Sequence, residues 1–192
     1  MTEPDDPPTV LIVEDEPQML QLYRDYLDNG YSVRTAISGE EAFEQYDDSI
    51  DLVLLDRRMP GMSGDEVLAE LRDRGFDGPI AMVSAVDPDV DIVDLSCDDY
   101  LVKPSSKEEF TTFVSTLLRR ATYDTATRKY LATVTKLAIL ESKLSATRLE
   151  ESAEYRALTD RVDALRERAR TSEGLTPEAI EELVEELVRD IV

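Results

Sequence analysis

The sequence predicts an α/β fold in which a doubly wound parallel sheet of five strands fills about the first 120 residues, with an α-helical, coiled-coil-like extension behind it. Three observations support this class. Short apolar runs alternate five times with segments of helical periodicity between residues 9 and 120, and parallel strands require crossovers of that kind. The runs near 9–13, 52–55 and 79–85 are apolar almost without interruption, as strands covered on both faces must be. Beyond residue 120 neither Gly nor Pro occurs until Gly174, and the composition becomes helix-forming.

Each element has its own signal. Residues 1–8, rich in Pro and Asp, read as a disordered leader. The first strand is "TVLIV" (9–13); after Pro17, Met19, Leu20, Tyr23 and Leu27 share one helical face until Asn29 and Gly30 stop the helix. "YSVRTA" (31–36) has mixed faces and belongs nearer a sheet edge, and Ser38 with Glu41 has the spacing of a capping box for the second helix. "DLVLLD" (51–56) is the third strand, "GDEVLAELRDRG" (64–75) the third helix and "PIAMVSA" (79–85) the fourth strand. "DVDIVDLS" (89–96) predicts a short fourth helix, "YLVKP" (100–104) the fifth strand, and Ser106 with Glu109 caps a fifth helix running toward Arg119. In the extension, one heptad register runs from Tyr123 through Tyr130, Leu137, Leu144, Glu151, Leu158 and Leu165, apolar at both ends and polar in the middle. It predicts helices over about 121–172 with a break near 145–153, as either an intramolecular hairpin or a dimerising coil. Thr176 and Pro177 open a last helix over 177–191, with Ile180, Leu183, Val184, Leu187 and Val188 on its apolar face.

Charge and composition narrow the function. The formal charge is -22, most of it in the first 120 residues, where 28 acids face 10 bases. Phosphate-rich nucleic acid is repelled by such a surface, so generic DNA or RNA binding is disfavoured. The acid coat, with 16 Arg against 5 Lys, resembles proteins of salt-rich cytoplasms and reads as a solubility device. No histidine is present, which excludes His-based acid–base catalysis, Ser-His-Asp and Cys-His sites, and His-ligated zinc. The lone Cys97 reads as a small core residue. No run reaches the eighteen or so apolar residues of a membrane span, and the acidic start lacks a signal-peptide pattern, so a cytoplasmic location is expected.

In a parallel sheet, ligands bind beyond the carboxyl ends of the strands. There the sequence places Glu14 and Asp15 after strand one, Asp56 after strand three, Ser84 at the end of strand four, and Lys103-Pro104 after strand five. Three converging carboxylates repel and favour protonation unless a cation is supplied, and oxygen ligands of this kind suit Mg²⁺. With the ion bound, an aspartate can act as a nucleophile toward phosphorus, Lys103 offsetting charge on the transferring oxygens and Ser84 donating to one of them.

"VLIVEDEP", "LVLLDRRMPGMSG", "AMVSA" and "DDYLVKP", in this order and spacing, resemble the receiver domain of two-component response regulators over residues 9–120. The resemblance implies a flavodoxin-like sheet of order 2-1-3-4-5. It implies Asp56 as phospho-acceptor, Asp15 as a direct Mg²⁺ ligand, Glu14 as a ligand acting mainly through water, and the backbone carbonyl of Arg58 as a further metal contact. Lys103 would pair with the phosphoryl group, while Ser84 and Tyr100 match the hydroxyl and aromatic switch positions. Arg58 and Val86 match the two positions that tune phosphate lifetime, Arg58 as a shield against water. The implied partners are a sensor histidine kinase, an unknown output protein, and a second copy of the chain, paired through the coil or through the face of the fourth helix, fifth strand and fifth helix. Such a protein phosphorylates and dephosphorylates itself and turns over no external substrate.

The sequence also departs from the pattern. Ser96-Cys97 stands where Gly-Ala is usual, Ser105 where an aromatic is frequent, and the stretch from Ser84 to Lys103 is short, which trims the fourth helix. Residues 121–192 resemble the HalX domain found behind receivers in haloarchaeal regulators, by position, length and helical character. That implies a regulatory role, with transcription as one target. Two other readings are weighed. A DNA-binding regulator acting through the tail is opposed by the tail's negative charge. A Mg²⁺-dependent aspartyl phosphatase of the haloacid-dehalogenase type wants a second acid two residues after the nucleophile, where Arg58 stands.

Overall fold

The computed structural model describes residues 6–103, 105–172 and 174–191; the expected leader lies outside them up to residue 5, as does Pro104. Five parallel strands, β1 (Thr9–Val13), β2 (Ser32–Ala36), β3 (Leu52–Leu55), β4 (Ile80–Ser84) and β5 (Asp99–Val102), form one sheet of order β2-β1-β3-β4-β5. Four helices belong to the sheet: α1 (Pro17–Leu27), α2 (Gly39–Gln45), α3 (Gly64–Asp73) and α4 (Lys107–Ala121). The tail adds α5 (Thr125–Lys143), α6 (Ala146–Glu151), α7 (Ala153–Thr171) and α8 (Pro177–Ile191).

Strand pleating sorts the core into two layers, because alternate side chains point to opposite faces. Val10, Ile12, Leu52, Leu54, Ala81, Val83 and Leu101 pack with Tyr23 and Leu27 of α1 and Phe110, Val114 and Leu117 of α4. The rings of Tyr23 and Phe110 stack 4.3 Å apart, which ties the two helices together. On the opposite face Leu11, Val13, Val53, Leu55, Met82 and Tyr100 pack with α2 and α3, and also with Ile139, Leu140 and Leu158 of the tail.

Local signals explain most helix ends. Ser63 with Glu66 and Ser106 with Glu109 form reciprocal capping boxes for α3 and α4. At α2 Ser38 accepts from the Glu41 amide, but the Glu41 carboxylate takes the Ile37 amide rather than that of Ser38. The expected fourth helix is corrected: over 89–96 the chain makes only the 3₁₀ turn Val90–Val93, capped by Asp89. Asp89, Asp91 and Asp94 crowd that stretch with like charge and poor helix formers.

In the tail the chain turns at Leu144 and again at Ser152, so α7 returns along α5. The pairing is antiparallel: Ser172 donates to Asp124 at one end (3.1 Å), and Tyr155 donates to Glu141 at the other (2.7 Å). Tyr130, Leu131, Val134, Leu165, Ala169, Ile180 and Leu187 form a separate small core between α5, α7 and α8. The heptad therefore closes within the chain as a helical hairpin. No helix among the described residues is long and apolar enough to cross a membrane.

Candidate functional site

Backbone ladder bonds carry the strands one residue beyond their ends, into the residues that matter. The Glu14 amide donates to Ala36 (3.0 Å), the Asp56 amide to Val13 (2.8 Å) and the Lys103 amide to Ser84 (2.9 Å). Alternation then places the three side chains: Glu14 follows Val10 and Ile12, Asp56 follows Leu52 and Leu54, and Lys103 follows Leu101. All three continue the face that α1 and α4 cover. A rigid apolar strand thus ends in a carboxylate aimed at one shared point.

The Lys103 ammonium donates to Asp56 at 2.8 Å and to the Glu14 carboxylate, and Glu14 is 1% exposed, Asp56 8%. Glu14, Asp15 and Asp56 offer carboxylate oxygens that all lie within 4.8 Å of one another. Burial pushes the Glu14 carboxyl above its ordinary value; Lys103 offsets part of this and the charge of Asp56 adds to it. For Lys103 burial works against the charge, but the hydrogen bonds to Asp56 and Glu14 outweigh it and hold the ammonium above its ordinary value. One ammonium faces three carboxyl groups, so the pocket is short of positive charge. Its donors are all hard carboxylate oxygens, the set that Mg²⁺ takes.

The loop after Asp56 is held tightly. The Arg58 amide donates to Asp56 Oδ1 (3.1 Å), and the Gly64 amide donates to the Arg57 carbonyl (3.0 Å). A Cβ at Gly64 would lie 2.2 Å from the Asp56 carbonyl oxygen, so only glycine lets α3 start this close to the end of β3. The exposed Arg58 side chain and Val86 line one cleft of about 480 Å³ together with Arg57, Asp87, Asp89 and Asp91.

Ser84 and Tyr100 meet at a third residue. Ser84, fully buried, accepts from the Val86 amide (3.3 Å), and the buried Tyr100 hydroxyl donates to the Val86 carbonyl (2.6 Å). The structure therefore brings every residue singled out in the sequence to two adjoining places: Glu14, Asp15, Asp56, Lys103 and the Arg58 backbone at the pocket, and Ser84, Val86 and Tyr100 beside it. Cys97 is buried in the core, and burial raises its thiol to about 11.

Sequence reasoning passed over Arg57, whose guanidinium joins Asp65 at the start of α3 (3.0 Å) to Asp91 in the 3₁₀ turn (2.5 Å). It also passed over Ile139 and Leu140, which pack with the sheet rather than the tail core, and Lys136, which donates to the Leu95 carbonyl between β4 and β5. Their signal was an apolar pair and a lysine lying off the heptad seam.

Comparison with known proteins agrees with this geometry. The family model described as response regulator receiver domain matches residues 10–115, and the HalX domain matches 119–187. A putative transcriptional regulator of Haloferax volcanii is 44% identical over 161 residues, 82% of this chain and 27% of that protein. The transcriptional regulatory protein CpxR of Klebsiella pneumoniae is 37% identical over 116 residues, 58% of this chain and 50% of its own length. The chain therefore spans half or less of these relatives. Among solved structures, response regulator TrrA of Thermotoga maritima, crystallised in complex with Mg(2+)-BeF, is 36% identical with a TM-score of 0.50, covering 57% of this chain and 98% of that one. The chain belongs to the response regulators, with a receiver domain followed by a HalX domain.

Proposed function

We propose that this response regulator takes a phosphoryl group onto Asp56 and passes the change to its helical tail. The observation that carries this reading is the arrangement of Glu14, Asp15 and Asp56 oxygens within 4.8 Å of one another, with the Lys103 ammonium 2.8 Å from the Asp56 carboxylate. The donor is a phosphohistidine of a sensor histidine kinase. An Asp56 oxygen forms a bond to phosphorus as the P–N bond breaks, and the electron pair leaves with the imidazole nitrogen.

Glu14, Asp15, Asp56 and the Arg58 carbonyl would hold Mg²⁺, which when bound offsets charge on the transferring oxygens; the TrrA complex with Mg(2+)-BeF supports this assignment. Lys103 is positioned to exchange its bond to Asp56 for one to a phosphoryl oxygen. The buried Ser84 hydroxyl is a second donor at the same strand ends. Arg58, exposed beside the acceptor, shields the phosphoryl group from water, and Val86 lines the same cleft. The chain acts on itself and turns over no external substrate.

The test is incubation with acetyl phosphate and Mg²⁺ in salt that keeps the chain folded, followed by intact mass. The native chain should gain one phosphoryl group and Asp56→Asn none; a native chain that gains nothing ends this reading. Because two relatives carry names of transcriptional regulators, control of transcription is a second reading of the output. Direct duplex contact by this tail is opposed by its 15 acids against 11 bases after residue 120.

A further inference from the structure

Another cleft, of about 560 Å³, lies between the receiver and the tail at the amino-terminal ends of β4 and β5, the opposite edge of the sheet from Asp56. In a chain of formal charge -22 it is lined by five cations: Arg72 of α3, Arg128, Lys129 and Lys136 of α5, and Arg161 of α7. Three carboxylates, those of Asp77, Asp94 and Asp98, share the lining. Arg72 is already satisfied. It pairs with Asp98 at 2.8 Å and gives its other donors to the carbonyls of Phe76, Gly78 and Ser96. Arg128, Lys129, Lys136 and Arg161 have no carboxylate partner among the described residues.

Lys136 is 8% exposed, so its ammonium is largely out of water. Of its three N–H donors one has an acceptor among the described residues, the Leu95 carbonyl. Burial pushes this ammonium below its ordinary value; Cys97 and Asp98 offset part of the effect, and the charges of Arg161 and Arg72 add to it. Arg128 has a second unmet donor: its Nη1 donates to the Asp77 carbonyl at 2.6 Å, while its buried Nε has no acceptor among the described residues. A buried charge left unpaired is costly, and an anion in the cleft removes that cost. Guanidinium and ammonium donors together suit phosphate oxygens. The volume falls within the range of about 300–1,000 Å³ typical of small-molecule sites, which leaves room for more than the phosphate itself.

We propose that this cleft binds a small phosphate ester, its phosphate held by Lys136, Arg128 and Arg161 and its organic part lying against Leu95, Ala132 and Ala157. The site is separate from the phospho-acceptor pocket and does not rest on that reading.

The experiment is calorimetric titration of the whole chain, freed of Mg²⁺ in salt that keeps it folded, with inorganic phosphate, citrate, glycerol 3-phosphate and adenosine monophosphate. At least one of the two esters should bind at a single site, more tightly than inorganic phosphate or citrate. Lys136→Met should weaken that ester about tenfold or more, and Arg161→Gln about two- to fivefold. Arg161 is exposed, so its variant keeps the test open should Lys136→Met not fold. Arg168→Gln removes an equal charge from an exposed position of α7 outside the cleft and should leave the affinity unchanged. The proposal is overturned if neither ester binds, if inorganic phosphate binds as tightly as the esters (an adventitious ion only), or if citrate does. It is equally overturned if Arg161→Gln weakens binding no more than Arg168→Gln, because the overall charge of the chain would then account for the effect.

Discussion

The two faces of the sheet are closed in different ways. One face is covered by α1 and α4, helices of the receiver itself, locked by the Tyr23–Phe110 stack; Glu14, Asp56 and Lys103 rise from its strands. The other is covered by α2 and α3 and then by borrowed helices, α5 and α7, over Ile92, Val93 and Tyr100. The charged pocket thus sits on the self-contained face, whereas Ser84 and Tyr100 belong to the face that the tail completes. The pocket and the Ser84–Tyr100 pair are therefore supported by different packing layers.

Core truncations should separate the layers. Phe110→Ala removes a fully buried ring from the self-contained face and should cost about 3–5 kcal/mol, seen as an earlier denaturation midpoint and lost amide protection throughout the sheet. Leu140→Ala empties a fully buried site on the borrowed face and should cost about 2–5 kcal/mol. Here the loss of protection should concentrate in α5, α7 and residues 86–99, with β1 and β3 still protected. If Leu140→Ala strips protection from the whole sheet as Phe110→Ala does, the two layers are one cooperative unit and the contrast fails.

The same contrast explains what the sequence disclosed. The strands and the pocket were legible because they depend on local runs: an apolar stretch fixes a strand, its pleat fixes a face, and the next polar residue becomes the group at the end; the sheet order followed from the resemblance to receiver domains rather than from those runs. Glu14, Asp56 and Lys103 need nothing more. Docking of the tail uses Leu137, Leu144 and Leu158 of the heptad together with residues that the heptad does not describe. Lys136, Ile139 and Leu140 lie off the seam of Tyr130, Val134 and Leu165, and only the missing fourth helix gives them a place to go. The 3₁₀ turn was partly legible, since the short spacing was visible and its consequence for the tail was not. Arg57 was obscured by its neighbour: two adjacent arginines look alike in sequence, and only the fold shows which one reaches Asp65 and Asp91.

The tail has an internal joint that tests whether docking and hairpin closure are separate. Asp124 caps α5 through the Ala126 and Thr127 amides and also takes the Ser172 hydroxyl, so one carboxylate fastens the start of α5 to the end of α7 where the two meet. Burial works against its charge, but the hydrogen bonds from Thr127, Ser172 and Ala126 prevail and hold the carboxyl below its ordinary value. Its contribution is present above the unfolded carboxyl value, near pH 3.9, and is lost as pH falls through the lower folded value. Asp124→Ala should cost about 1 kcal/mol at neutral pH. It should also flatten the acid side of the tail's unfolding curve, followed by exchange in α5 and α7. An acid limb as steep as in the native chain would mean that other carboxylates set it.

The smallest effect is expected at the exposed side of the hairpin. Glu181 of α8 accepts from Arg166 (3.0 Å) and from Arg170 of α7, and these arginines hold its carboxyl below the ordinary value. All three side chains are solvated, so attraction is offset by the entropy of fixing them and is screened within about 8 Å at physiological ionic strength. Glu181→Gln should lower the thermal midpoint by less than Asp124→Ala in dilute buffer, and the difference from the native chain should vanish in molar salt. Exposed pairs are the contacts that salt removes, while Ile180 and Leu187, buried beneath them, keep α8 in place. A Glu181→Gln penalty that persists at high salt would show that these arginines act through hydrogen bonds that salt does not screen, and that the tail's cohesion is less apolar than its core implies.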